Sequence, residues 1–326
     1  MRYPAGLAAL LLLVGWWPIH AAEAHEPLDP VAVEHELYLT QNQLLQDVGW
    51  KLVAGNAPFC ADTRLAAGLQ LQDMRSYGAP EQMRSLLGLD GDFAVLAIAA
   101  DSPAADTQLV PGTEIRTIDG DKLSVWPAEA RLDWRRDKRL HDAIDSAMAR
   151  EGSVAIGLAN GGEIAISGRE ACTSRFELAG GGARAVADGE RVQIGTKFVG
   201  LAYPEEEFAA AIAHELAHNI LGHRQWLDAN GRKQHNVRRT EREADRLMPW
   251  LLANAGYEPA AAARFMERWG PANDGGIFRR RSHDGWDERL QVIRAEIDSI
   301  SAVQGTGGVA DWSTHFSRDI LPEAAN

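Results

Sequence analysis

Two histidines one helical turn apart, with a glutamate between them, constrain this chain more than any other feature. They are His214 and His218, and Glu215 directly follows the first of them. On a helix this spacing places both imidazoles on one face, where they can reach a single metal ion. The glutamate then lies close enough to take the proton of an attacking water without ligating the metal. The sequence therefore predicts a helix with the ligand arrangement of a zinc hydrolase.

The flanking sequence favours a helix at this position. Pro204 precedes a run of glutamates at 205–207, and proline fits a first turn while carboxylates offset the positive end of the helix dipole. Phe208, Ile212 and Leu216 recur every four residues among alanines, which is the pattern of a largely buried helix. Polar groups without partners are costly in such a place. A metal therefore accounts for the histidines better than a pair of core or surface side chains does.

A second acidic motif supplies the third ligand. A catalytic zinc usually has three protein ligands and leaves the fourth position to water. Thr240-x-x-Glu243 matches a capping box and predicts the start of another helix. Glu241 and Asp245 then share a face of that helix, so we expect Glu241 to ligate the metal and Asp245 to hold the N–H of a ligating histidine. Glu243 remains the alternative ligand, disfavoured by its capping role and its offset from Asp245.

These motifs, taken in order, resemble those of the M48 family of zinc metallopeptidases. The resemblance covers roughly residues 30–60 and 172–300, and it rests on His214-Glu-Leu-Ala-His218, Glu241-x-x-Ala-Asp245, Ala255-Gly-Tyr-Glu-Pro259 and Ser282-His283, with Arg289 beyond. In that family the first glutamate of the Glu-x-x-Ala-Asp motif ligates the zinc. The resemblance therefore implies one Zn²⁺ per chain, bound by His214, His218 and Glu241.

The same resemblance implies roles for two further residues. His283 matches a histidine that lines the active-site cleft of the family, where it can stabilise the oxyanion or shift toward the metal. The family commonly has proline after this histidine, whereas this chain has Asp284. Arg289 is expected to form a salt bridge near the site. The implied activity is that of an endopeptidase, with Glu215 as the general base and His283 as the oxyanion donor.

The N-terminus predicts export. Arg2, the apolar run Ala5–Trp17 and the small residues of Ala22-Glu-Ala24 form a secretory signal over residues 1–24; an uncleaved anchor is the alternative. No later segment is long and apolar enough to span a membrane. We expect an exported protein, periplasmic or secreted. The net charge of −13 argues against a nucleic-acid partner, which would need a basic surface.

The two cysteines of the chain, Cys60 and Cys172, are expected to form a disulfide because the predicted compartment is oxidising. Residues 64–170 between them resemble a PDZ domain. The most recognisable stretch is Ser102-Pro-Ala-Ala followed by Pro111-Gly-x-x-Ile-x-x-Ile-Asp-Gly120. The predicted strand Phe93–Ile98 and a hairpin around Asn160-Gly161 agree with its order of elements.

The PDZ resemblance implies a groove for extended peptides, often C-termini, which add as a strand between one strand and the second helix. Ser85–Leu89 and the predicted helix Leu140–Arg150 would form that groove. The alternative is a structural insertion whose groove no longer binds peptide.

Two segments near the metal motif carry further predictions. A hairpin with its turn at Asp188-Gly189 is expected beside the zinc cleft. A substrate strand could add to its edge, which consists of Ala185, Val186 and Ala187. The polar segment His223–Arg239 is predicted as a solvated loop, with a mobile flap as the alternative. His223 is not expected to be a ligand, because three are already assigned.

Together these features predict an α+β fold in 326 residues: a mostly helical, zincin-like metallopeptidase domain with a small sheet, interrupted by a β-rich PDZ-like domain. The predicted divisions are the signal 1–24, an N-terminal peptidase helix within 25–62, the PDZ-like domain 63–171, the remaining peptidase domain 172–304 and a loosely ordered tail 305–326. Helical spacing over 31–54 predicts the N-terminal helix, with His35 on its surface.

The predicted function is that of an exported zinc endopeptidase acting on unfolded or misassembled proteins. Its partners would be protein or peptide substrates and a C-terminal peptide at the PDZ-like groove. The alternative is a PDZ-containing periplasmic assembly or chaperone-like factor with a latent or structural zinc site. A structural site would be closed by a fourth protein ligand, and His283 could serve as that ligand.

Overall fold

The computed structural model describes residues 30–128, 134–273 and 284–320, and in these ranges the chain is an α+β protein with small sheets. The predicted signal in residues 1–24 and the predicted oxyanion donor His283 lie outside the described residues. Within the described ranges, no helix has the length and apolar character needed to cross a membrane.

Helices dominate both ends of the described chain. The α-helices are α1 (Pro30–Asn56), α2 (Pro80–Leu87), α3 (Trp134–Glu151), α4 (Glu205–Ile220), α5 (His223–Asn230), α6 (Gln234–Asn254), α7 (Ala261–Asn273), α8 (Trp286–Gly305) and α9 (Trp312–His315). The predicted N-terminal helix is thus confirmed as α1.

The strands lie between α1 and α4. They are β1 (Thr63–Ala66), β2 (Leu69–Asp73), β3 (Phe93–Ile98), β4 (Ile115–Ile118), β5 (Asp121–Lys122), β6 (Ser153–Leu158), β7 (Glu163–Ser167), β8 (Arg169–Cys172), β9 (Arg175–Ala179), β10 (Ala185–Ala187) and β11 (Arg191–Gly195). They form the sheets β1-β8, β2-β3, β5-β4-β6-β7 and β10-β11-β9. The pairing is antiparallel except between β9 and β11. The predicted strand at 93–98 and the two predicted hairpins are confirmed.

Buried apolar side chains form two separate cores. The first core joins α1, α4, α6, α7 and α8 with the sheet β10-β11-β9, and it includes Phe208 and Trp250. The second core lies between α3 and strands β2, β3, β4, β6 and β7, with Leu71 and Ile156 at its centre. We call residues 63–171, which contain the second core, the inserted unit, because both flanks of this segment belong to the first core.

The segment between the two predicted ligand helices differs from the prediction. The structure has α5 at His223–Asn230 and α6 from Gln234 in place of a long polar loop. Thr240 lies inside α6, and its hydroxyl donates to the carbonyl of Val237 at 2.8 Å. The predicted capping box is therefore wrong. Glutamine, arginine and glutamate favour helix wherever tertiary contacts support it, so a polar run alone does not indicate a loop.

Three further predictions are wrong. His35 is 7% exposed, since the inserted unit packs over its face of α1. Ser85 lies exposed on α2, and the strands that contact α3 are β1, β2 and β6. The segment after Gly305 is packed rather than loose, because Trp312 and Ile320 are buried.

The disulfide joins the two ends of the inserted unit. Cys60 and Cys172 are bonded, and next to this bond β1 pairs with β8, with Thr63 opposite Cys172. The bond and the strand pair together hold the beginning and the end of the unit at one place on the first core.

Removal of the Cys60–Cys172 bond is expected to destabilise the protein. The bond spans a sequence separation of 112 residues, and in the chain-entropy description a loop of this length is worth up to about 4.7 kcal/mol. The Cys60→Ser, Cys172→Ser double variant should unfold at lower urea concentration than the oxidised protein, as followed by circular dichroism. Reduced wild-type protein is the matched control and should behave like the double variant. Equal midpoints before and after reduction would contradict the prediction.

Candidate metal centre

Three side chains converge between α4 and α6. Nε2 of His214 lies 3.3 Å from Nε2 of His218. The two carboxylate oxygens of Glu241 lie 3.5 Å and 3.6 Å from these nitrogens. A tetrahedral ion bound at about 2.0–2.2 Å by its ligands spaces them roughly 3.3–3.6 Å apart. The three side chains could therefore hold one metal ion.

Helix packing explains why the three side chains meet. Alanines with at most 3% exposure line the middle of α4, at Ala209, Ala210, Ala211 and Ala213, and Ala244 of α6 is also fully buried. Small side chains let helices approach closely, and α4 packs against α6 over much of its length. The two histidines project from consecutive turns of α4 toward the first half of α6, where Glu241 faces them.

A buried ion pair lies behind His214. Its Nδ1 is 3.1 Å from an oxygen of Asp245, which leaves Nε2 directed toward Glu241. Asp245 is 1% exposed and accepts two hydrogen bonds from Arg289, at 2.6 Å and 2.7 Å. Burial opposes the charged form of His214, but Asp245 and Glu241 outweigh it and raise its pKa to about 10. Asp245 thus lies beside His214, and Arg289 lies beside Asp245, which are the positions expected from the sequence.

A second chain of contacts lies behind His218. Its Nδ1 is 2.9 Å from Nδ1 of His223, and Nε2 of His223 is 3.0 Å from the Glu243 carboxylate. His223 and Glu243 are almost fully buried. If Nε2 of His218 binds a metal, Nδ1–H donates to His223, and His223 in turn donates to Glu243. These contacts fix the tautomer and the ring orientation of His218.

The carboxylate of Glu243 is held by residues near the end of the described chain. Arg318 donates to it at 2.9 Å, and the backbone N–H of Ile320 donates at 2.6 Å. Burial opposes ionisation of Glu243, but His223, Arg318 and Ile320 together lower its pKa. Burial is the largest cause that lowers the pKa of His218 to about 3.

This second support is not predicted from the sequence, which places His223 in a predicted loop and makes Glu243 an alternative ligand or a capping residue. The signal that could have located His223 is the helix end at Leu221-Gly222, where Gly222 has φ 66°. This left-handed turn brings a histidine five residues beyond His218 back toward the ring of His218. No local signal marks Arg318.

Glu215 lies beside the three ligand atoms at the border of a cleft. Burial is the largest cause that raises its pKa to about 7, and the nearby backbone of Ala187 on β10 opposes this increase. A carboxyl group with a pKa near neutrality can both take up and release a proton.

The cleft in front of the ligand atoms has a volume of about 850 Å³. Ala185, Val186 and Ala187 form one wall, and they belong to β10, an outer strand of its sheet. Aromatic side chains from α7 and α8, Trp269 and Trp286, form part of the opposite wall. The predicted strand edge therefore borders the same cleft as the three ligand atoms.

His283 cannot be placed in this geometry, because the structure does not describe it. Its neighbour Asp284 borders the cleft and accepts a hydrogen bond from Arg242 at 2.6 Å. The roles of oxyanion donor and of fourth ligand therefore both remain predictions for His283. Among the residues described, the group that could hold a metal consists of His214, His218 and Glu241.

Comparisons with known proteins add no assignment. Neither the models of known protein families nor the curated proteins match this sequence. Interpretation of the centre therefore rests on its geometry and on its motifs.

Replacement of Glu241 by alanine is expected to remove most of the metal affinity. Loss of a residue that supports a ligand lowers metal affinity roughly 10–100-fold. Loss of a direct ligand should lower it further. Zinc affinity is measured by competition with a chromophoric chelator. Glu163→Ala, on the exposed edge of β7, is the control and should bind as wild type does. Equal affinities in the two variants would contradict the assignment of Glu241.

His223→Gln is expected to lower zinc affinity about 10–100-fold without unfolding the protein, because His218 loses the contact that orients its ring. The cobalt-substituted protein should also show an altered visible spectrum, since that spectrum reports ligand geometry. His235→Gln is the matched control, because His235 lies exposed on α6. A spectrum and an affinity that are the same in both variants would show that His223 does not support His218.

Proposed function

We propose that this protein is an exported zinc-dependent endopeptidase of the M48 type that carries a PDZ-like unit. The observation that carries the proposal is the meeting of three ligand atoms with Glu215 at a cleft bordered by a strand edge. Such a cleft can hold an extended polypeptide, the ligand atoms can hold the ion, and Glu215 can move the proton. The resemblance of the ordered motifs to the M48 family agrees with this combination.

The donor set supports zinc as the ion. Two imidazoles and one carboxylate are a frequent ligand set of catalytic zinc, whereas structural zinc sites are usually closed by four protein ligands. The distances of 3.3 Å, 3.5 Å and 3.6 Å among the histidine nitrogens and the Glu241 oxygens fit the bond lengths of this ion. When bound, zinc would supply Lewis acidity that acidifies water and polarises a carbonyl group.

In the proposed reaction, Glu215 takes the proton from the water that attacks the scissile carbonyl. It then delivers this proton to the nitrogen of the leaving amine, which completes hydrolysis of the peptide bond. Arg289 and Asp245 hold His214 in place during this exchange, and His223 with Glu243 does the same for His218. His283 is proposed as the donor to the oxyanion.

The edge of β10 supports an extended substrate. The carbonyl of Arg184 and the N–H of Asp188 bond to β11, so the alternate residues, Ala185 and Ala187, direct their backbone groups toward the cleft. The backbone of Ala187 lies close enough to Glu215 to affect its pKa. The backbone groups of Ala185, two residues earlier on β10, are therefore the ones proposed to pair with substrate.

The compartment is supported by two features. The disulfide is of a kind that persists in oxidising environments, and the N-terminal residues have the composition of a secretory signal. The PDZ-like identity of the inserted unit is supported by its sequence resemblance and by a fold with four short paired strands, β5-β4-β6-β7, beside helix α3. Unfolded or misassembled proteins are the proposed substrates.

Glu215→Gln is expected to abolish cleavage of unfolded casein while zinc stays bound. Loss of a general base lowers rates by about 10²–10⁴-fold, and glutamine keeps the shape of the side chain. Cleavage is followed by gel electrophoresis, and zinc is measured in the same samples. Glu206→Gln, which removes an exposed carboxylate from the same helix, is the control and should remain active.

Chelation completes this test. Wild-type activity should disappear with a chelator and return with added zinc. Cleavage by the Glu215→Gln variant, or wild-type cleavage that withstands complete removal of metal, would refute the proposed mechanism. A wild-type protein that binds zinc and cleaves nothing would favour the assembly factor instead.

A further inference from the structure

A second cleft, of about 970 Å³, lies where the inserted unit meets the first core. We call it the junction cleft. The N-terminal half of α1, strand β2, the start of α3 and strand β9 form its walls, and it shares no lining residue with the cleft at the metal centre. Its size is at the upper end of the roughly 300–1,000 Å³ of ligand sites.

Polar atoms without partners are concentrated in the junction cleft. His35 is 7% exposed, yet neither of its ring nitrogens has a hydrogen-bond partner. The hydroxyl of Ser76, which borders the same cleft, is also buried without a partner. Buried polar groups are nearly always satisfied in folded proteins. These atoms are unpaired and have almost no accessible surface, so a ligand that brings both a donor and an acceptor, as a peptide backbone does, would satisfy them by entering the wall of the cleft.

The ring of His35 is held in position although its nitrogens are unbonded. Its centroid lies 6.5 Å from that of Tyr38 and 6.0 Å from that of Tyr77. The hydroxyl of Tyr77 donates to Gln72 at 2.6 Å. The imidazole is thus packed between aromatic rings at the cleft wall, and its orientation does not depend on a hydrogen bond of its own.

The charge of the junction cleft is negative. Arg136 neutralises Asp73, and Arg191 neutralises Glu177. Glu34 and Asp137 also border the cleft, and neither forms an ion pair with a described residue. Burial, followed by the negative charges of Glu177 and Asp73, raises the pKa of Asp137 to about 8. A pKa of about 8 leaves Asp137 mostly protonated at neutral pH, and a cation beside it would favour loss of this proton and formation of an ion pair.

The groove that the PDZ resemblance implies is closed by the chain itself. The N–H of Leu71 on β2 donates to Nε2 of His141 at 3.2 Å, and the backbone of Asp73 lies close enough to the carboxyl of Asp137 to affect its pKa. His141 and Asp137 belong to α3, the helix that a strand-adding peptide would have to displace. A peptide in the junction cleft must therefore be recognised through side chains and not as an added strand on β2.

We propose that the junction cleft binds an extended peptide segment that carries a lysine or arginine side chain. Glu34 and Asp137 receive the cationic group, and His35 and Ser76 bond to the peptide backbone. Trp134 and Leu37, both more than half exposed at the cleft wall, contact the neighbouring apolar side chains. Aromatic rings near the cation add to its binding. This site does not require an active metal centre.

The test measures peptide binding to the zinc-loaded full chain carrying Glu215→Gln, so that cleavage cannot interfere. The probe is a fluorescent heptapeptide with blocked ends and one central lysine, and binding is followed by anisotropy. We expect it to bind about tenfold or more tightly than the same peptide with norleucine at that position, because a charge-assisted hydrogen bond is lost. Blocked ends exclude recognition of a terminal carboxylate.

Substitutions then locate the binding site. Adding Glu34→Gln and Asp137→Asn should remove the preference for lysine, whereas Glu36→Gln, on an exposed part of α1 outside the cleft, should leave it intact. His35→Phe keeps a ring between the tyrosines and should weaken both peptides equally. Glu34→Gln alone, at an exposed position, should reduce the preference for lysine even if Asp137→Asn disturbs folding.

Three results would overturn the proposal. They are equal binding of the two peptides, a lysine preference that survives both carboxylate substitutions, and binding of free lysine amide as tightly as the peptide. The first two would exclude the cation site, and the third would exclude a peptide ligand. Peptide binding is measured in the inactive Glu215→Gln chain, whereas the proposed hydrolysis is tested by casein cleavage with the wild-type chain, so the two proposals fail separately.

Discussion

The close packing of α4 against α6 is the interaction on which the rest of the structure depends. Alanines along α4 let the backbones of α4 and α6 lie close together. One carboxylate of α6 can reach two imidazoles of α4 because of this close approach. The other helices of the first core and the sheet β10-β11-β9 surround this pair and exclude water from it. Bulkier side chains on α4 would separate the ligand atoms even if every ligand were retained.

Close packing alone would leave the imidazoles free to rotate, and two buried polar chains prevent this. Arg289 and Asp245 fix His214, while Glu243 and His223 fix His218. Buried charges are costly unless they are paired, and each carboxylate here has its cation or its donors within hydrogen-bond distance. The two chains come from opposite sides of the ligand pair, so they hold the two rings independently of each other.

The sequence predicts those parts of the centre that depend on local spacing. His214, Glu215 and His218 share one turn of a helix, and Glu241 with Asp245 shares another. Periodicity is sufficient to place such residues. The support of His218 is not evident from spacing because its parts lie in different elements: His223 follows the end of α4, Glu243 is 20 positions further along, and Arg318 is 75 positions beyond Glu243. His35 was misjudged for a related reason: the pattern of α1 does not show that the inserted unit covers that face.

The support of His218 also depends on the order in which the chain is synthesised. A ribosome releases the chain in order, and His218 emerges long before the residues that secure Glu243. The N–H of Ile320 is 77 positions downstream of its acceptor, so a nascent chain that ends before it lacks the final brace behind the ring. The fully supported centre can form only late in synthesis, when most of the described chain has been released.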